Sequence, residues 1–187
     1  MSIRALSSNF IAAAPSKAKR KSVVWCKPQI DWVKLNVDAS FDADSLCGTV
    51  GAVIRDHTGS FVSAINWKLD FVADAEAAEA HAIHVGLELA NLSNCQRVLI
   101  NSDSSVVVDV LSSGHRPYGA AAAIYKDCFS MLEDLVQFDI AHCYRETNKV
   151  AHELARIARF QPVSSWFANP PTCIVPLLTE DVTLISN

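Results

Sequence analysis

Hydrophobic and polar positions alternate from Trp32 onward. In "KLNVDASFDA" (34–43), Leu35, Val37, Ala39 and Phe41 share one face, and Asn36, Asp38, Ser40 and Asp42 share the other. A period of two predicts a strand over 32–40. "GTVGAVIRD" predicts a second strand at 48–56, "DHTG" (56–59) a turn, and "SFVSAINWKL" a third strand at 60–69. Three strands on short connections predict an antiparallel meander. The Ala- and Leu-rich "ADAEAAEAHAIHVGLELANL" predicts a long helix over 73–92, with acids in its first turns to suit the helix dipole. "RVLINSD" (97–103) is nearly all apolar, as expected of a strand inside a sheet. Helical patterns follow at 104–112 and 120–136, on either side of the Gly- and Pro-broken "SSGHRPYG". A last strand is predicted at 138–145 and a last helix at 147–160, the latter with Val150, Leu154, Ile157 and Ala158 on one face.

The order βββαβα(α)βα predicts an α/β (α+β) chain: a five-stranded mixed sheet with helices on both faces. Residues 1–29 lack apolar periodicity and are expected to be a disordered basic arm before a domain at 30–160. Residues 161–187 hold four prolines and little periodicity, so a tail that packs on the domain or trails from it is expected.

Composition narrows the picture. At 187 residues and half apolar, the chain suffices for one domain with a sizeable core. Its apolar runs stop short of the roughly 18 residues of a membrane span, so no membrane association is expected. The six cysteines are scattered without a CxxC pair, which fits free thiols in a reducing compartment. Residues 1–30 hold six basic side chains and no acid, which leaves −10 on the rest of a chain whose total is −4. Nucleic-acid binding leans on Lys and Arg at phosphates. Such a body would need a local groove, the basic arm or bridging metal ions to bind it. "KAKRK" (17–21) reads as a nuclear import patch, and the acid-free start equally as an organelle transit peptide.

Three carboxylates change the picture further. Asp38 lies mid-strand, Glu79 shares a helical row with Ile83, Leu87 and Ala90, and Asp103 closes the apolar strand. Taken singly, Asp38 could face solvent and Asp103 could cap the helix that follows. Brought together, they would repel one another without a cation. Hard oxygen ligands suit Mg²⁺ or Mn²⁺.

The blocks "WVKLNVDASF", "GAVIRDHTG", "AEAHAIHVGLELA", "INSDSSVVVDVL" and "RETNKVAHELARIA", in this order, carry a resemblance. Over residues 30–182 the chain resembles type 1 ribonuclease H, and more closely the plant reverse-transcriptase-derived ribonuclease-H-like proteins. "WFANPPTCIVPLLTED" resembles that family's usual ending, so an intact C-terminus is expected. The resemblance implies a ribonuclease H-like fold and metal-dependent, endonucleolytic hydrolysis of the RNA strand of RNA–DNA hybrids. It implies two divalent ions, Mg²⁺ or Mn²⁺, one activating water and one stabilising the leaving oxygen. Asp38, Glu79 and Asp103 match the family's first three catalytic, metal-binding carboxylates, and its fourth falls on His152.

A proofreading exonuclease would carry Asp-x-Glu on the first strand, where Asp38 is followed by Ser40, and an integrase would carry Glu where this chain has His152. Imidazole accepts Mn²⁺ but is a poor Mg²⁺ ligand, so the site would hold three formal charges instead of four. Ser40 and Asn148 sit where family members touch nucleic acid, though either also suits a turn or cap. Glu76 is the alternative helix ligand, and His142 beside Cys143 reads as structural. Residues 112–127 offer only His115, Arg116 and Lys126 as a basic grip on the hybrid, so modest affinity is expected. The expected partner is an RNA–DNA hybrid and the expected state a monomer. The alternative is a catalytically weakened nucleic-acid-binding or interaction module derived from a retroelement ribonuclease H.

Overall fold

The computed structural model describes residues 24–114 and 118–185. Three strands open the fold: β1 (Val33–Asp42), β2 (Cys47–Arg55) and β3 (Phe61–Leu69). Then come α1 (Ala75–Leu92), β4 (Arg97–Ser102), α2 (Ser105–Ser113), α3 (Ala122–Glu133) and β5 (Gln137–His142). A 3-10 turn (Arg145–Thr147) leads into α4 (Lys149–Ile157), followed by β6 (Ser164–Phe167) and α5 (Val175–Ile185). The sheet order is β5-β4-β1-β2-β3-β6. β1, β2, β3 and β6 pair antiparallel, while β4 and β5 join β1 in parallel.

The predicted meander and mixed sheet are present, with one strand more than expected. β6 arises within the stretch read as a tail, where the prolines and short length hid its alternation. It is a four-residue edge strand on β3, and such short edges leave little unpaired backbone.

Strand alternation divides the core. Leu35, Val37, Ala52 and Ile54 pack with α1 on one face; Val53 and Ala64 pack with Val150, Ala151 and Leu154 of α4 on the other. Two glycines let the helices approach. A Cβ on Gly86 would lie 2.7 Å from Val37 Cγ1, so α1 rests directly on β1. A Cβ on Gly51 would run into the α4 backbone at Ala151 and Ala155 and lie 2.7 Å from Leu154 Cβ.

Part of the expected arm touches the sheet. Residues 1–23 of the expected arm, and His115 and Arg116, lie outside the described residues. Trp25, however, is buried, and its Nε1 donates to Asn36 Oδ1 at 3.0 Å. A single aromatic without periodic neighbours gave no strand or helix signal, yet it anchors this segment to the domain.

Candidate active site

The parallel pairing of β1 and β4 ends at Val37 opposite Ser102. Asp38 and Asp103 are therefore the next residues on two neighbouring strands. β4 stops there while β1 runs on to Asp42, which leaves a step in the sheet. Glu79, in the second turn of α1, reaches this step. Asp74 starts that helix by accepting from the Ala77 backbone N–H at 2.8 Å, which fixes the turn from which Glu79 projects. Carboxylate oxygens of Asp38, Glu79 and Asp103 lie within 4.8 Å of one another. They line a cleft of about 490 Å³ whose far wall carries Arg145, Asn148, Lys149 and His152.

Burial and mutual repulsion shape the charge here. Burial, and then the neighbouring Asp103, push the Asp38 carboxyl up to about 6 against the opposing pull of its hydrogen bond with His152. Glu79 is pushed up to about 8 by burial, then by Asp38 and Asp103. Glu79 Oε2 is buried and has no hydrogen-bond partner among the described residues. Buried polar atoms are normally satisfied. Three crowded carboxylates, one with an orphaned oxygen, form a donor set that fits a hard divalent cation.

His152 occupies the corner next to this cluster. Its Nδ1 lies 2.9 Å from Asp38 Oδ2, while 71% of the side chain stays exposed. Asn148 is buried: its Nδ2 donates to Val37 O at 2.8 Å and, in a longer contact of 3.5 Å, to Asp103 Oδ1. Ser40, on the same strand face as Asp38, lines a neighbouring groove rather than the cleft, where it accepts from Arg159 Nη2 beside Lys68. Glu76 accepts from Tyr125 Oη at 3.2 Å, so Glu79 is the helix carboxylate facing the cleft. The alternative of Asp103 as a cap is not realised, because Ser104 is the N-cap residue of α2. His142 stacks edge-on against Tyr144 with ring centroids 5.9 Å apart.

A model of the reverse transcriptase-like family matches residues 36–158, which hold every side chain of the cleft named above. The chain belongs to the reverse transcriptase-like family. It is 28% identical over 155 residues, 83% of its length, to an Arabidopsis thaliana protein that carries a provisional ribonuclease H name. It spans about a quarter of that relative, 25%. The reverse transcriptase-like domain also superposes on ribonuclease H1 of Halobacterium salinarum with a TM-score of 0.64 at 22% identity, covering 68% of this chain and 97% of the other. The N-terminal ribonuclease H domain of a Mycobacterium tuberculosis protein gives 0.63 at 19%, covering 68% and 92%. LC11 ribonuclease H1, solved in complex with an RNA/DNA hybrid, gives 0.59 at 18%, covering 66% and 94%. The fold is ribonuclease H-like.

Several residues of this reverse transcriptase-like domain escaped the sequence. Arg145, with Nε 3.4 Å from Asp103 Oδ2, stands outside any periodic pattern. Asn36, two residues before Asp38, lies on the same strand face. Its Nδ2 donates to Asn148 Oδ1 at 3.2 Å, across 112 residues of sequence. That separation is why no local pattern revealed the pair.

Proposed function

We propose that this domain is a divalent-metal-dependent endonuclease that hydrolyses the RNA strand of RNA–DNA hybrids. The observation that carries the reading is the meeting of Asp38, Glu79 and Asp103 oxygens within 4.8 Å, with Glu79 Oε2 buried and unpaired. The hybrid as substrate is supported by the ribonuclease H-like fold and by the hybrid held in the LC11 complex.

Asp38, Glu79 and Asp103 would hold the ions. A pair of Mg²⁺ or Mn²⁺ ions would supply Lewis-acid activation of the attacking water and charge neutralisation at the leaving oxygen. Asp38 is shared between the cluster and His152. His152 Nδ1 holds Asp38 Oδ2 and so restrains how that carboxylate turns. Arg145 and Lys149 put positive charge on the wall facing the carboxylates, where a backbone phosphate would otherwise meet only acids. Asn148 fixes Asp103 and the β1 backbone together.

The deciding experiment is cleavage of an end-labelled RNA–DNA hybrid with Mg²⁺ or Mn²⁺, beside Asp38→Asn. Internal cuts in the RNA strand that vanish in Asp38→Asn support the reading. A second reading, a hybrid-binding module without catalysis, is favoured by the imidazole in the fourth position and the −10 charge outside residues 1–30. Binding by a wild type that cuts with neither ion would establish it instead. In either reading the domain acts as a monomer.

A further inference from the structure

Behind Asn148 lies a buried chain of hydrogen bonds that leaves the matched family span in both directions. Asp181, on α5, accepts from Arg55 Nη1 at 2.7 Å. Arg55 Nη2 donates to Asn36 Oδ1 at 3.3 Å, and Trp25 Nε1 donates to the same oxygen at 3.0 Å. The Arg55 guanidinium stacks on the Trp25 ring, 3.6 Å from its centroid. Arg55 also sits where the β2–β3 register shifts, between Ile54 and Arg55; such irregularities re-aim side chains. Asn36 Nδ2 then donates to Asn148 Oδ1, and Asn148 Nδ2 to Val37 O and Asp103 Oδ1. Trp25, Asn36, Arg55, Asn148 and Asp181 are all buried.

The chain has a direction. A carboxamide offers an oxygen that only accepts and a nitrogen that only donates. Two donors on Asn36 Oδ1 fill that oxygen and oblige its nitrogen to face Asn148. Asn148 must then present oxygen to Asn36 and nitrogen to Asp103. If the first amide turned, the second would turn with it and set its oxygen against the Asp103 carboxylate, exchanging attraction for repulsion.

We propose that Trp25, Arg55 and Asp181 are positioning residues that, through Asn36, lock the orientation of Asn148 and thereby hold Asp103 for the divalent-ion cluster. This rests on the metal-dependent reading above and extends the functional unit beyond residues 36–158 at both ends. Stability alone gives weak grounds for such a group. A buried ion pair is often replaceable by apolar side chains of similar size without loss, and Arg55 Nε has no partner among the described residues.

The test is the double variant Arg55→Met/Asp181→Leu in the full chain, with Trp25→Phe as a milder second variant that keeps the ring and removes one donor. The first readout is the Asn148 side-chain amide in ¹⁵N correlation spectra, assigned by its loss in Asn148→Asp. Slow exchange is expected in the wild type and fast exchange in the double variant, while melting temperature changes little. The second is Mn²⁺ affinity by calorimetry, expected to weaken about tenfold, with hybrid kcat falling similarly and KM unchanged. Trp25→Phe should move the same readouts by less. If the double variant does not fold, Trp25→Phe decides. An Asn148 amide that exchanges fast in the wild type, or equally slowly in every variant, overturns the proposal, as does unchanged Mn²⁺ affinity. A wild type that binds no Mn²⁺ and cuts no hybrid sinks the nuclease reading, and the amide readout then still decides whether the lock exists.

Discussion

Asp38 stands directly across the β1–β2 ladder from Gly51, and α4 rests on that glycine. The absence of a side chain at 51 is what lets His152 reach Asp38 Oδ2 from a helix on the sheet face. Gly51→Ala must displace α4, because the new methyl would meet helix backbone rather than a movable side chain. Overpacking of this kind costs about 1–3 kcal/mol, so we expect a melting temperature lower by several degrees together with loss of most hybrid cleavage. Thermal denaturation and a cleavage assay on the same preparation check this. Wild-type values for both would show that α4 is not set by this contact.

Exchange at position 152 should alter metal preference. Mg²⁺ demands oxygen ligands in near-octahedral geometry, whereas Mn²⁺ accepts imidazole. Wild-type cleavage should be faster with Mn²⁺ than with Mg²⁺, and His152→Asp should raise the Mg²⁺ rate by adding a fourth carboxylate. Initial rates with each ion measure this. An active enzyme indifferent to the substitution would make His152 a bystander.

Metal removal should expose a pH dependence of stability. Asp38 and Glu79 titrate higher in the folded protein, at about 6 and about 8, than their ordinary 3.8 and 4.5. The metal-free folded state therefore keeps protons that the unfolded chain has lost, and stability falls as pH rises through those values. In EDTA the melting temperature should decline between about pH 4 and about pH 8, and Glu79→Gln should flatten the upper part of that decline. Saturating Mn²⁺ at the alkaline end should raise it again, because the ion binds only the folded state. A flat EDTA profile would mean the carboxylates are more solvated than their burial implies.

Two N-terminal deletions should behave differently. Removing residues 1–23 takes away five basic side chains and should weaken hybrid binding and its salt dependence with little change in melting temperature. Removing residues 1–28 also takes Trp25 from over Arg55 and should cost several degrees. Calorimetric melting of both proteins separates the effects; equal melting would deny Trp25 its anchoring role.

The parts of this fold that were legible in the sequence are those with local periodicity. β1, β2 and β3 alternate, α1 carries a continuous Ala and Leu pattern, and β4 is a short apolar run. The carboxylates at 38, 79 and 103 were legible through their places on those elements and the order of the blocks around them. What stayed hidden depends on long-range closure. Trp25 is an isolated aromatic, Arg55 reads as a polar strand end, and Asp181 sits in a stretch with no strong period. β6 is too short and too flanked by prolines to signal itself. Each acquires meaning only from a partner far along the chain.

The Arg55–Asp181 bond joins residues 126 apart in sequence, which bears on how the protein is made. At about 5–20 residues per second of synthesis, roughly ten seconds separate the appearance of these two partners at the ribosome. Throughout that interval the sheet of β1–β4 can assemble around a guanidinium that has no counter-ion. α5 thus completes a network that runs through Arg55 of β2 to Asn36 of β1, and a chain cut short before residue 181 would fold around an unneutralised cation.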